Sequence, residues 1–194
     1  MNETHNLCPP PALAAIQADT QAIGFQMASD AMVGSLLRTL AASKRGGRFL
    51  DLGTGTGLSA VWLLDGMGTE GRLLGVDNDP ALLEVAKRHL GHDERLQIVC
   101  DDGDRFIRQI AGEGQKFDFI FADMWAGKYR LLEETLNLLH PNGLYVIDDM
   151  LPQPNWPDGH QIKVNALIAS LESRPDLRTA KMAWSSGVVV CAKT

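Results

Sequence analysis

The chain has 194 residues, with 18 basic against 24 acidic side chains and a formal charge of −6. That length suits one domain with a sizeable core, and 45% hydrophobic with 22% charged residues is an ordinary globular composition. An acidic balance speaks against nucleic acid as partner and leaves a small molecule as the expected one. Residues 12–44 read as helix broken near Gly24, with Met32, Val33, Leu36, Leu37 and Leu40 forming one apolar stripe. Lys44-Arg45-Gly46-Gly47 ends it, giving an arm over 1–46 that is expected to pack on a core of 47–194 within a single domain.

From residue 48 strand and helix alternate. Residues 49–52 are the first strand and 58–64 open its helix. Residues 72–77 are the second strand, followed by a helix over 80–90 with Pro80 in its first turn. The third pair covers 96–99 and about 103–111. Residues 117–122 are apolar enough for burial on both faces, and a helix carrying Leu132, Leu136 and Leu139 follows until Pro141-Asn142-Gly143 stops it. A fifth strand spans 144–147. After a proline-rich loop come a helix over roughly 159–173 and two strands, 177–184 and 188–192, joined by Ser185-Ser186-Gly187 as a hairpin. Such alternation predicts an α/β fold with a doubly wound, mostly parallel, seven-stranded sheet and an antiparallel strand at one edge. No apolar run reaches the ~18 residues of a membrane span, and no secretory pattern opens the chain, so no membrane partner is expected. Cys8, Cys100 and Cys191 lack metal or redox spacing and read as reduced thiols of a cytoplasmic protein.

Ligands of doubly wound sheets bind beyond the carboxyl ends of the strands. Here those ends carry acid: Asp51, Asp77, Asp101 with Asp102, Asp123, and Asp148 with Asp149. Any one of them caps a helix or makes a turn as readily as it binds; five successive acidic strand ends do not arise by chance. After the first end, Gly53, Gly55 and Gly57 alternate and a helix begins, so a ligand can lie against bare backbone. The spacing departs from the dinucleotide G-x-G-x-x-G at Leu58, and no phosphate-cradling P-loop is present. Asp51 would repel a pyrophosphate and welcome a cation. Asp77 is placed to accept from two ribose hydroxyls, worth roughly 1.5–3 kcal/mol per bond, and Asp101 or Asp102 suits an adenine amino group.

Leu50-Asp-Leu-Gly-Thr-Gly-Thr-Gly-Leu-Ser-Ala60, Gly75-Val-Asp-Asn-Asp-Pro80 and Phe117-Asp-Phe-Ile-Phe-Ala-Asp123 together resemble the class I S-adenosylmethionine-dependent methyltransferases, with their Rossmann-like fold. Asp123-Met-Trp-Ala-Gly-Lys-Tyr129 and Gly143-Leu-Tyr-Val-Ile-Asp-Asp-Met-Leu151 are similar to the catechol and caffeoyl-CoA type O-methyltransferases. The resemblance covers nearly the whole chain, including the arm near 27–40, which in that family covers the cofactor. It implies that Asp51 and Gly53 meet the methionine moiety of S-adenosylmethionine, Asp77 the ribose and Asp101 or Asp102 the adenine side. Ser59 would sit near the methionine carboxylate or serve only the first helical turn. The family also pairs as homodimers, although no residue here names an interface.

The chemistry to be assisted is deprotonation, since a phenol of pKa ~10 is about one part in a thousand ionised at pH 7, a deficit of about 4 kcal/mol. The family meets it with a divalent ion and a lysine. Carried over, the ligands of Mg²⁺ or another divalent cation are Asp123, Asp148 and Asp149, with Asp149 in the place of an asparagine and Ala126 in the place of the lysine. A third carboxylate would hold an ion more tightly and blunt its acidity; alternatively, Asp148 and Asp149 point to opposite faces of the strand end. Lys128 curling back, or His160, then becomes the candidate for moving the proton, beside the carboxylate of Asp123. His160 also admits the plainer role of a solvated or capping residue. The loop 151–160 walls the acceptor pocket with Trp156 as an apolar face. The expectation is a methyltransferase acting on a hydroxyl of a small, aromatic acceptor. Alternatives are a metal-independent methyltransferase acting on carboxylate, nitrogen or thiol, an NAD-dependent oxidoreductase, and a non-catalytic cofactor-binding module.

Overall fold

The computed structural model describes residues 8–27 and 29–194. Its elements run α1 (Leu13–Ala22), α2 (Ala31–Ala42), β1 (Arg48–Leu52), α3 (Leu58–Gly66), β2 (Arg72–Asp77), α4 (Pro80–Leu90), β3 (Leu96–Cys100), α5 (Gly103–Gly112), β4 (Phe117–Ala122), α6 (Leu132–Asn137), β5 (Leu139–Ile147), α7 (His160–Glu172), β6 (Leu177–Met182) and β7 (Val188–Lys193). The sheet order is β3-β2-β1-β4-β5-β7-β6. Neighbours among β1 to β5 are parallel, and β7 runs antiparallel to both β5 and β6. The antiparallel strand is therefore β7, one place in from the edge; β6 at the edge runs with β5. The order reverses between β1 and β4, where a parallel sheet opens a crevice for a ligand.

Strand alternation sorts the core onto two faces. Leu50, Leu52, Ile120 and Tyr145 pack with Phe106, Ile107 and Ile110 of α5 and with Val164 and Leu167 of α7. Phe49, Phe119, Phe121 and Val146 pack on the other face with Val33 and Leu37 of α2 and with Trp62 of α3. Phe49 and Phe119 meet at 5.5 Å between ring centroids. Full burial of such a side chain contributes roughly 1.5–3 kcal/mol.

The arm lies on this core. Gly34 of α2 abuts Trp62 so closely that a Cβ there would fall 2.2 Å from the indole. The expected break at Gly24 (φ +73) is present, but the segment between α1 and α2 runs from 23 to 30 and carries Phe25, Met27 and Ser29 to the crevice. Asp30 caps α2, accepting from the N–H groups of Met32 and Val33 at 2.7 and 2.9 Å, while its other oxygen accepts from the Ser185 hydroxyl of the hairpin turn. α1 is tied to α4 by Asp19, which pairs with Arg88 and His89.

The region after β4 differs from expectation. α6 has only 6 residues, and Leu139 belongs to β5, pairing with Phe117 before a register shift at Pro141-Asn142-Gly143. Asn142 takes φ 63 there, so these breaker residues make a bulge inside a strand as well as following a helix. Among the described residues no helix is long and apolar enough to cross a membrane.

Candidate active site

The turn after β1 is built by backbone. Gly53 and Thr54 N–H both donate to the Val76 carbonyl, at 3.0 and 3.1 Å, drawing the turn over the end of β2. Gly53 and Gly55 hold φ +98 and +52, and a Cβ on Gly53 would stand 2.9 Å from the Asp123 carbonyl. Only glycine gives this backbone its path. Asp77 stands opposite: one oxygen accepts the Gly55 N–H at 2.9 Å and the other the Asp79 N–H at 3.0 Å. Each oxygen keeps a lone pair for a further donor.

A cavity of about 660 Å³ opens above this turn, lined by Gly53, Gly55, Ser59 and Asp77 at one end and by Asp123, Lys128, Tyr129, Asp149, Trp156 and His160 at the other. Asp51 lies behind its wall. It is fully buried, the Ser59 hydroxyl donates to one of its oxygens at 2.8 Å, and the other oxygen is buried with no partner among the described residues. Burial raises this carboxyl to a pKa of about 7. The expectation that Asp51 touches the ligand directly is thus modified: Ser59 stands between, with its proton engaged by Asp51 and unable to serve a ligand carboxylate at the same time. An unpartnered buried oxygen behind a cradle of bare glycines nevertheless fits a cofactor carrying positive charge at this end and ribose hydroxyls at Asp77.

Asp101 and Asp102 are not brought to the cavity. Asp102 caps α5 through the Arg105 N–H at 3.0 Å, and Asp101 pairs with the Arg105 guanidinium, which holds its carboxyl below the usual range. The capping role weighed for single aspartates prevails at this strand end.

At the other end of the cavity the turn 125–130 sets the chemistry. Tyr129 N–H donates to the Trp125 carbonyl at 2.9 Å, Gly127 N–H to the Arg130 carbonyl at 2.7 Å, and the buried Tyr145 hydroxyl to the Gly127 carbonyl. This turn puts the Ala126 methyl into the core, where a Cβ on Gly103 of α5 would come within 2.8 Å of it. It swings Lys128 back to the strand ends instead. Lys128 is only 4% exposed; its Nζ donates to the Asp148 carbonyl at 2.9 Å and lies 3.5 Å from Asp123 Oδ1. Asp123 Oδ2 accepts from the Ser29 hydroxyl of the arm at 3.1 Å. Burial pushes the Asp123 carboxyl well above its ordinary value, against the opposing pull of Lys128.

The two aspartates after β5 diverge. The Asp148 side chain accepts from the Ser186 hydroxyl in the hairpin turn and from the Asp149 N–H at 2.7 Å, and burial raises it to about 6. Asp149 adopts φ 55, a left-handed geometry that aspartate tolerates, and lines the large cavity. Asp123, Asp148 and Asp149 all border a smaller cavity of about 310 Å³ beside Ser29 and Asp30. Even so, no three His, Cys, Asp or Glu side chains among the described residues stand together closely enough to hold one ion. The expected ligand set of Asp123, Asp148 and Asp149 is therefore not assembled: Asp148 is drawn to the hairpin, and a lysine ammonium sits against Asp123. These residues do not fit a divalent cation.

His160, expected from its place at the start of α7 to have a solvated or capping role as its plainer alternative, is 5% exposed. Trp156, Tyr129 and Trp125 surround its ring, at centroid distances of 4.6, 5.0 and 5.5 Å. Nε2 lies 3.2 Å from the Tyr129 hydroxyl, and Nδ1 is buried without a partner among the described residues. Burial lowers its pKa, so the ring is neutral near pH 7. Trp125, Tyr129 and Ser29 are site residues to which sequence reasoning gave no role; Trp125 and Tyr129 stood only within the quoted motif 123–129, an aromatic pair four residues apart just past an acidic strand end.

Strand order, acidic strand ends and a cavity over the β1 turn define a Rossmann-like methyltransferase fold. The chain belongs to the O-methyltransferase family, whose profile matches residues 11–194. It is 29% identical over 146 residues to the catechol O-methyltransferase of Mycobacterium tuberculosis, a match covering 73% of this chain and 66% of that one. The chain matches only 53 to 61% of the length of the mycobacterial relatives from M. avium and M. leprae. In structure it is similar to an O-methyltransferase from Bacillus cereus in complex with SAH, with TM-score 0.82, 18% identity and coverage of 94% of this chain and 90% of that one. Another similar structure is the O-methyltransferase TomG of Streptomyces achromogenes in complex with SAM, with TM-score 0.80, 22% identity and coverage of 95% and 90%.

Proposed function

We propose that this protein transfers a methyl group from S-adenosylmethionine to a hydroxyl of a small aromatic acceptor. The observation that carries the reading is one continuous cavity. It joins a glycine turn and ribose-facing Asp77 to a box of Trp125, Tyr129, Trp156 and His160, with Asp123 and Lys128 between them. Family membership and the catechol O-methyltransferase relative support an oxygen acceptor, and the SAH- and SAM-bound structures support the cofactor.

When bound, S-adenosylmethionine supplies an electrophilic methyl on a sulfonium; the acceptor oxygen forms its bond to carbon as the sulfur–carbon bond breaks and the sulfonium becomes a thioether. The chain's part is placement, which can carry much of such a rate. Asp77 and the Gly55 backbone fix the ribose end, and the buried charge of Asp51 favours a cationic ligand. Trp125 and Trp156 give a flat ring two apolar walls. His160, neutral and shielded, takes the hydroxyl proton at an imidazole nitrogen as the oxygen is alkylated. Incubation with labelled S-adenosylmethionine and a panel of phenols, catechols, carboxylates and thiols tests the reading. Label should move to a phenolic or catecholic oxygen, and transfer confined to carboxylates or thiols would contradict it.

A further inference from the structure

We infer that the ammonium of Lys128, in place of a divalent ion, is the cation of the acceptor site, so that methyl transfer here runs without metal. The inference rests on the methyltransferase reading above and deepens it. It stands on the position of Nζ. A lysine ammonium has three donors; among the described residues one goes to the Asp148 carbonyl and one faces Asp123 Oδ1. The third is left for the large cavity that Lys128 lines, where an acceptor oxygen beside Asp123 would receive it.

A metal held by Asp123 would have to share that carboxylate with the ammonium. Two cations a few ångströms apart in a partly buried site repel strongly, and Lys128 has no easy retreat. Its stem is buried, and its turn is fixed by the Tyr145 hydroxyl on the Gly127 carbonyl. Asp148 is drawn toward the hairpin, its Oδ1 accepting from both Ser186 and the Asp149 N–H. Asp123 Oδ2 accepts from Ser29. The substitution pattern agrees: with Ala126 turned into the core against α5, a lysine enters from position 128, at the carboxylate itself.

A charge-assisted donor at this place orients the acceptor oxygen and steadies the negative charge that develops on it. Mn²⁺ titration followed by electron paramagnetic resonance, on protein saturated with SAH, tests the inference without needing the acceptor. Wild-type protein should leave millimolar Mn²⁺ free. Lys128→Met should gain one Mg²⁺-competable Mn²⁺ site, with affinity raised by at least about a hundredfold, the scale of removing a like charge from a partly buried site. One bound equivalent of Mn²⁺ in the wild type would overturn the inference, as would a folded Lys128→Met protein that still binds none. If that variant does not fold, the wild-type titration decides alone, free Mn²⁺ supporting the inference and bound Mn²⁺ overturning it. Calorimetry separates the two readings: loss of all SAH affinity in the wild type removes the methyltransferase reading and this inference with it, whereas Mn²⁺ binding beside intact SAH affinity removes only the latter.

Discussion

The two ends of the cavity handle acidic side chains in opposite ways. Around β1 and β2, Asp77 and Asp79 are answered by backbone N–H groups, of Gly55 in the β1 turn and of residues two positions on, and Asp51 by a serine in the following helix. Around β4 and β5, Asp123 and Asp148 are answered mainly by side chains, of Ser29 in the arm, Lys128 in the turn after β4 and Ser186 in the hairpin turn. The first end is local to one turn and the strand beside it, rigid because backbone makes it. The second depends on the arm, a turn and the terminal hairpin converging.

The largest effect expected at the local end is on the ribose contacts. Asp77→Ala removes acceptors for two hydroxyls at roughly 1.5–3 kcal/mol each, so SAH affinity should fall about 10²- to 10⁴-fold by calorimetry; an unchanged affinity would take Asp77 out of the cofactor site. At the convergent end, His160→Ala should lower kcat by at least about a hundredfold, the usual yield of a positioned proton acceptor, with KM for S-adenosylmethionine little changed. A loss confined to KM would make His160 a wall of the pocket and no more.

A smaller effect comes from Asp51, and its sign follows from burial. Its pKa is raised from 3.8 to about 7 in the folded chain. Its contribution to stability is therefore full below pH 3.8 and lost as pH rises through about 7. Its affinity for a cation changes the other way, since the carboxylate forms over that same range. S-adenosylmethionine should bind about tenfold more tightly at pH 8 than at pH 6, and Asp51→Asn should abolish the difference. The smallest effect is expected from Ser29→Ala, which removes one hydroxyl donor to Asp123 worth about 0.5–1.5 kcal/mol; a few-fold change in turnover, measured on the wild-type acceptor, would agree.

The same contrast explains what could be read from residues alone. Asp51, the glycines and Asp77 announce themselves because strand, turn and helix fix their geometry over a short span. The mostly parallel sheet and the break at Gly24 follow from alternation and from breakers. Less was legible where distant segments decide. Asp101 binds Arg105 one helical turn on and leaves the cavity. Pro141-Asn142-Gly143 looks like a helix stop but also forms a bulge within β5. His160 resembles a capping residue until Trp125, Tyr129 and Trp156 close on it. Lys128 sits two residues from where a lysine was expected, and only the turn 125–130, with Ala126 facing the core, brings it to Asp123. The three aspartates were expected as a ligand set from the family resemblance; Ser186 and Lys128 had no local signal to say otherwise.

Calorimetric titration of the wild-type chain with SAH, the thioether product of the cofactor, with NAD as control, bears most directly on the central claim that the β1/β4 crevice is an S-adenosylmethionine site. The account predicts one SAH per chain and no measurable NAD binding. NAD binding in preference to SAH would contradict it.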